Sequence, residues 1–282
     1  MGRTISDIAQ EIYGEDSRFI VKSFDQIGDI IVIKIPTDLI DDRRYELGRC
    51  ILENYPYIKV VLRQTSPVEG LFRIRKFEHI AGEKRTYTIY KEHGCRFYVD
   101  ISKVYFTPRL SYERRRIADL VGRDEIVFNM FAGVGPYSIL MAKRGAYIHS
   151  VDINPYAFEY HILNNRLNRV EDRISTYRGD SGIIAVKYLS GKVDRVVMPL
   201  PELAIDYLKY AVKTINREGW IHVYLHIKYG RDEEEALEKA EETVKNELIR
   251  IGDVEIREVH SRIVREVATR TAQICVDIDI VK

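Results

Sequence analysis

Cysteine is scarce: the 282-residue chain has three, Cys50, Cys95 and Cys275, and they stand far apart. An odd, scattered set excludes a secreted disulfide framework and offers no close pair for a thiolate metal site. Long hydrophobic runs are missing as well, none approaching the ~20 residues that cross a bilayer. The opening MGRTISDIAQEIYGED lacks the apolar stretch of a secretion signal. These absences lead to the expectation of a soluble, cytoplasmic protein without membrane contact. Charge of one sign is lacking too, since 44 Lys and Arg nearly cancel 43 Asp and Glu. A global field that would collect nucleic acid is excluded, and any such surface has to be a local patch. Internal repeats and low-complexity segments do not occur. What is there is a globular composition, 45% hydrophobic and 31% charged, ample for a core.

The first hundred residues read as strands with one or two short helices. IGDIIVIKIP (27–36) is rich in β-branched residues and closes at Pro36, and LIDDRRYELGRCILENY (39–55) has the apolar spacing of an amphipathic helix. IKVVLRQ, GLFRIRKFEHIAG and RTYTIYKEHGCRFYVDI then read as strands joined by turns, together a small α+β module carrying many Arg, Lys and Tyr residues. From about residue 110 the rhythm changes. Strand-like EIVFNMF, YIHSVDIN, RISTYRGD, DRVVMPLP and WIHVYLHI alternate with helical YSILMAKRG, YAFEYHILNNRLN and ELAIDYLKYAVKTIN. Such alternation specifies an α/β unit with a parallel sheet. EEEALEKAEETVKNELIRIG is a solvated amphipathic helix. TAQICVDIDIV is expected to close the sheet as a strand at its edge.

Within the α/β part, AGVGP puts Gly133 and Gly135 directly after a buried strand and before a helix. A turn of that kind lets a ligand approach the backbone at the carboxyl end of the sheet. The third position after Gly135 is Ser138, and Pro136 occupies the turn, so the spacing is not the G-x-G-x-x-G of a pyrophosphate cradle and argues against a nicotinamide dehydrogenase. Asp152 ends the next strand, where a carboxylate can accept both hydroxyls of a ribose. Asp180, in RGDS, ends the following one, where it can accept from an exocyclic adenine amine. Each acid alone reads as readily as a helix cap or turn residue; the ordered set of three describes an adenosine pocket.

The segments FNMFAGVGPYSI, VDINPYAFEYHILNNRLN, GDS and DRVVMPLPELAIDYLKYAV resemble the archaeal and eukaryotic tRNA (guanine-N1)-methyltransferase family, which acts on the guanosine immediately 3′ to the anticodon. VYFTPRLSYERRRIA and GLFRIRKFEHIAGEKRTYTIYKEHG extend the match upstream, and REVATRTAQICVDIDI extends it downstream. The resemblance implies a Rossmann-type S-adenosylmethionine-dependent methyltransferase domain over 105–282, a small tRNA-positioning module over 18–104 and an N-terminal extension over 1–17. With so few residues ahead of SFDQIGDIIVIKIP, the extra tRNA-elbow domain of many archaeal members is expected to be absent. The expected partner is the anticodon region of tRNA, and a monomer is expected rather than an oligomer.

Chemistry at N1 of guanine needs a base for its proton and a cation or donor near O6. By resemblance Glu113, in PRLSYER, is the base, and Arg73, in LFRIRK, serves O6, with Arg75 the alternative. Pro201 of MPLP completes the catalytic set. The resemblance places Tyr105, Arg109, Asn129, Phe131, Gly133, Asp152, Ile153, Asn154, Asp180, Ser181 and Pro199 around the cofactor, with Tyr105 or Phe131 able to stack a flipped base. On their residues alone, Glu113 is a first-turn helix acid and Arg73 and Arg75 a solvated strand face. Two positions depart from the family pattern: Asn129 stands where an acid opens the glycine-turn motif, and Pro199 replaces an Asn. A wyosine-pathway enzyme, transferring a methyl or aminocarboxypropyl group to a tricyclic guanine derivative, is therefore the alternative, and a non-catalytic tRNA-binding protein the alternative of another class. Pro108, Arg109 and Leu110 favour methyl transfer. His222 and His226 flank a strand, and no metal is expected.

Overall fold

The computed structural model describes residues 3–20 and 24–282. Ser23, the start of the SFDQIG segment, lies outside the described residues. The chain divides into two compact units, Met1–Arg109 and Leu110–Lys282.

In the first unit, helix α1 (Ile5–Tyr13) opens on a capping box. Thr4 Oγ1 accepts from the Asp7 N–H at 3.1 Å and Asp7 Oδ2 from the Thr4 N–H at 2.8 Å. The short α2 (Ser17–Ile20) follows. Strands β1 (Asp25–Ile27) and β2 (Ile30–Ile33) pair antiparallel. Helix α3 (Arg43–Asn54) carries the chain across to β3 (Val60–Gln64), which pairs parallel with β2, and β4 (Phe77–Gly82) completes a four-stranded sheet. A parallel neighbour needs such a crossover. Ile5, Ile8 and Tyr13 of α1 share one buried cluster with Ile31, Ile33, Leu47, Ile51 and Val61. The stretch expected as a mere extension thus supplies part of this core. Strands β5 (Tyr87–Glu92) and β6 (Cys95–Asp100) form a separate hairpin. GLFRIRK is not the strand it was expected to be. Residues 70–73 form a turn in which Arg73 adopts φ 54, closed by the isolated antiparallel pair Glu69 and Ile74, and the strand itself begins at Phe77.

The second unit runs α4 (Ser111–Leu120), β7 (Ile126–Asn129), α5 (Pro136–Lys143), β8 (Tyr147–Asp152), α6 (Pro155–Asn168), β9 (Ile174–Arg178) and α7 (Ser181–Ile184). It continues with β10 (Val193–Met198), α8 (Ala204–Thr214), β11 (Ile215–Lys228), α9 (Glu233–Ile251), β12 (Glu255–Ala268) and β13 (Thr271–Val281). The seven strands lie in the order β12-β13-β11-β10-β7-β8-β9. Strands β7 to β11 are mutually parallel, while β13 is antiparallel to both of its neighbours. TAQICVDIDIV is therefore an interior strand, not an edge. The edge is β12, whose mixed charges hid it from a pattern search. Nine consecutive residues of β13 are buried, the acids among them as ion pairs. Helices α8 and α9 pack against each other and against the sheet, with Leu208 of α8 and Ala240, Val244 and Leu248 of α9 in one core.

Leu208 is fully buried. Leu208→Ala should cost about 2–5 kcal/mol by leaving a cavity, read as a lower urea midpoint at unchanged slope.

Candidate active site

The glycine turn follows β7 and is shaped from beneath by α6. Gly135 sits at φ 89, and a β-carbon there would lie 2.4 Å from the His161 ring. Gly133, at φ 55, faces open space. Asn164 Nδ2 donates to the Val134 carbonyl at 3.0 Å, and the Gly133 N–H donates to Asp152 Oδ2 at 2.7 Å. His161 and Asn164, which shape the turn, carry no local signal that sequence reading could use.

Asp152 is held by two backbone donors, Gly133 at Oδ2 and Asn154 at Oδ1 (2.9 Å). Burial pushes its carboxyl up, against the pull of these two hydrogen bonds. Each oxygen keeps a lone pair for a further donor. Ile153 beside it is exposed, whereas Asn154 is buried and caps α6 by accepting from the Tyr156 N–H at 3.0 Å. Asp180 caps α7 through Ile183 (3.0 Å) and accepts from the Tyr207 hydroxyl. That bond to a carboxylate, with burial, pushes the Tyr207 hydroxyl up to about 12. The Tyr207 ring meets Phe131 edge-on at 5.3 Å. Ser181 Oγ is buried without a hydrogen-bond partner. Pro199 and Pro201 follow β10, half-buried. The carboxyl ends of four adjacent parallel strands thus carry Asn129, Phe131, Gly133, Asp152, Ile153, Asn154, Asp180, Ser181, Pro199 and Pro201 on one side of the sheet. Tyr207, absent from the sequence reading, belongs with them.

Asn129 is fully buried. Its Nδ2 donates to Ser138 Oγ at 2.9 Å, Ser150 donates to the same oxygen at 2.8 Å, and Asn129 Oδ1 is left without a partner. A neutral amide leaves one oxygen unsatisfied in this seat, where a carboxylate would need a cation as well.

Glu113, 2% exposed, lies in the first turn of α4 but does not face solvent as a simple dipole partner would. Arg116 grips it with Nε to Oε2 (2.9 Å) and Nη2 to Oε1 (2.7 Å), and the Tyr224 hydroxyl donates to Oε1 at 2.7 Å. Arg262 Nη1 stands 3.7 Å from Oε2. His222, Cys275 and Asp277 converge closely enough to suggest metal ligation. The Arg116 and Arg195 guanidiniums already occupy that cluster, at 2.5 Å from Asp277 and 2.8 Å from His222, and a further cation would be repelled.

The first unit holds the remaining residues. The Arg73 guanidinium lies over the Tyr105 ring, 5.0 Å from its centroid. Arg75 and Arg109 both bind Asp25, at 3.2 and 2.8 Å. Burial would raise the Asp25 carboxyl, but these two arginines hold it below its usual range. Arg75 is consequently an interior ion-pair partner and not part of a solvated strand face.

A family model described as TRM5/TYW2 methyltransferase domain matches residues 88–271, and one described as TYW2 N-terminal domain matches 5–86. The Trm5b of Pyrococcus abyssi, a tRNA (guanine(37)-N(1))-methyltransferase, is 39% identical over 98% of this chain and 78% of its own. The Taw21 of Saccharolobus solfataricus, a tRNA 4-demethylwyosine(37)-methyltransferase, is 38% identical over 78% of this chain and 84% of its own. The solved complex of aTrm5 with tRNALeu superposes with a TM-score of 0.82 at 34% identity, covering 99% of this chain and 78% of that one.

Gly135→Ala should destabilise by about 2–4 kcal/mol through left-handed strain and the clash with His161, against about 1 kcal/mol for Gly133→Ala; paired chemical denaturation curves measure the difference. His161 also carries a pH signature. Unfolded, an imidazole titrates near ~6.5, whereas burial pushes His161 down to about 3. Between those values the unfolded chain binds the extra proton, so stability is lost as pH is lowered, by ~1.4 kcal/mol per unit from this group. His161→Gln should flatten that stretch of the stability profile; an unaltered slope would assign it elsewhere.

Proposed function

Because the chain belongs to the TRM5/TYW2 methyltransferase family, we propose that it transfers a methyl group from S-adenosylmethionine to N1 of the guanosine immediately 3′ to the anticodon of tRNA. The observation that carries this reading is the near full-length similarity to Trm5b of P. abyssi, joined to an adenosine-shaped set at the strand ends.

The residues present fit that cofactor. Gly133 offers open backbone, Asp152 retains acceptor capacity for the ribose hydroxyls, and Asp180 retains one for the adenine amine. The exposed Ile153 offers an apolar surface to the adenine ring, and the buried Ser181 hydroxyl has a hydrogen bond to give. When bound, the cofactor supplies a sulfonium-activated methyl group, which asks for no metal.

Glu113 takes the N1 proton in this reading. Arg116 and Tyr224 both donate to its carboxylate, and these three bonds leave Oε2 one acceptor position. Shielded from bulk water, it exchanges its proton only with a group placed against it. Arg73 stabilises the charge that builds on O6, and Tyr105, beneath its guanidinium, keeps the group planar and aimed. Pro201, with Pro199, shapes the wall below the target base.

A second reading has an observation of its own: Taw21 is 38% identical over 78% of this chain and is aligned over 84% of its own length. Methyl transfer to 4-demethylwyosine at the same position uses the same pocket with a wider base site, and Pro199 in place of an amide removes a hydrogen-bond donor from that site.

Incubation with methyl-labelled S-adenosylmethionine and unmodified tRNA transcript, followed by nucleoside mass spectrometry, distinguishes the two. N1-methylguanosine beside the anticodon is expected; product only from tRNA already carrying 4-demethylwyosine would replace the first reading with the second. Asp152→Ala should weaken cofactor binding by about 10–100-fold, through lost charge-assisted hydrogen bonds. Glu113→Gln should leave both ligands bound and slow single-turnover transfer by ~100-fold or more.

A further inference from the structure

We infer that Arg116 and Asp277 are positioning residues that set the aim and proton affinity of Glu113, through a file of buried charges running across the sheet of the second unit. The inference rests on the base role proposed above for Glu113.

The file can be followed atom by atom. Arg116 turns Nε and Nη2 to Glu113, and turns Nη1 to Asp277 Oδ2 at 2.5 Å and Nη2 to Asp277 Oδ1 at 3.2 Å. Asp277 also takes a hydrogen bond from His222 Nδ1 at 2.5 Å. His222 is fully buried, and burial pushes its pKa down despite the carboxylate beside it, so the ring is neutral. Its Nδ1 carries the proton and its Nε2 accepts from Arg195 Nη1 at 2.8 Å, which leaves one tautomer possible. Arg195 is in turn held by Glu125 Oε1 at 2.5 Å and donates to the Leu120 carbonyl at 3.2 Å. Leu120 ends α4, the helix whose first turn bears Glu113. Both ends of that helix are therefore tied to the same file.

Burying so many charges is expensive, and apolar side chains of similar volume would stabilise a fold as well or better. A structural role alone gives no reason for this outlay, whereas control of a base does. A guanidinium does not release its proton at any working pH. Arg116 is thus a fixed cation shared between two carboxylates. Asp277 takes part of that charge, so Arg116 is not committed to Glu113 alone. The other groups around Glu113 do not change over the working pH range. Arg262 from β12 and Arg114 from α4 stay cationic, and burial pushes the hydroxyls of Tyr224 and Tyr137 and the thiol of Cys275 upward, so all three stay neutral.

The two partners should accordingly move the acid limb of the pH–rate profile in opposite directions. In Asp277→Asn the whole of Arg116 falls on Glu113, and the limb should shift down by ~1 pH unit, with a lower plateau. In Arg116→Gln the carboxylate loses its cation and the limb should shift up. Asp277→Glu, which keeps the charge, should leave the limb in place. Single-turnover methylation of tRNA measured over pH, with cofactor and tRNA dissociation constants measured alongside, reads all three. The inference requires unchanged dissociation constants and opposite shifts; where only one of the two variants still binds S-adenosylmethionine, its limb must move in the direction stated for it. Limbs at the wild-type position, or loss of cofactor binding in both variants, would overturn it and assign the file to stability. Full activity in Glu113→Gln would instead overturn the base role itself, so the two failures are told apart.

Discussion

The carboxylate of Asp152 is the contact on which the carboxyl ends of the parallel strands in the large sheet depend. It ends β8, yet its two oxygens reach the backbone of the glycine turn after β7 and of the segment that opens α6. One side chain therefore fixes the spacing of three chain segments at the same strand ends. Burial raises the energetic cost of its charge, and the two backbone N–H groups offset it. Loss of this carboxylate would loosen the glycine turn and the start of α6 at once, because one group holds both.

The elements that repeat locally were legible in the sequence. Alternation of helix and strand after residue 110, the glycine turn and the two strand-end acids all have short-range signals, and the structure places them as that pattern implies. What escaped depends on distant partners. Asp277 meets Arg116 across 161 positions, and Arg109 meets Asp25 across 84, so nothing near either residue betrays its role. β12 escaped because its charged residues break the expected alternation while β13 beside it is buried throughout. The turn at Arg73 escaped because alternating Arg and apolar residues mimic a strand, whereas Gly70 and the left-handed φ of Arg73 interrupt the pairing.

The departures at Asn129 and Pro199 read differently once placed. Asn129 belongs to a small buried polar cluster with Ser138 and Ser150, a neutral set that satisfies itself apart from one oxygen. The substitution is therefore matched by its neighbours and is not an isolated lapse. Pro199 follows the last paired residue of β10, where a missing N–H removes no ladder bond.

The interior position of β13 has a consequence for how the second unit comes into being. Its parallel strands are made in order, but β12 pairs only with β13, so neither joins β11 until the chain has turned at Thr269 and Arg270. Its acids, Asp277 and Asp279, must lose water in the same event that brings them Arg116 and Arg257. A ribosome that has delivered β7 to β11 has therefore delivered an exposed, unfinished edge. Folding of this unit is a late, cooperative and non-local step, of the kind that proceeds slowly and leaves a nascent chain dependent on protection until residue 281 has emerged.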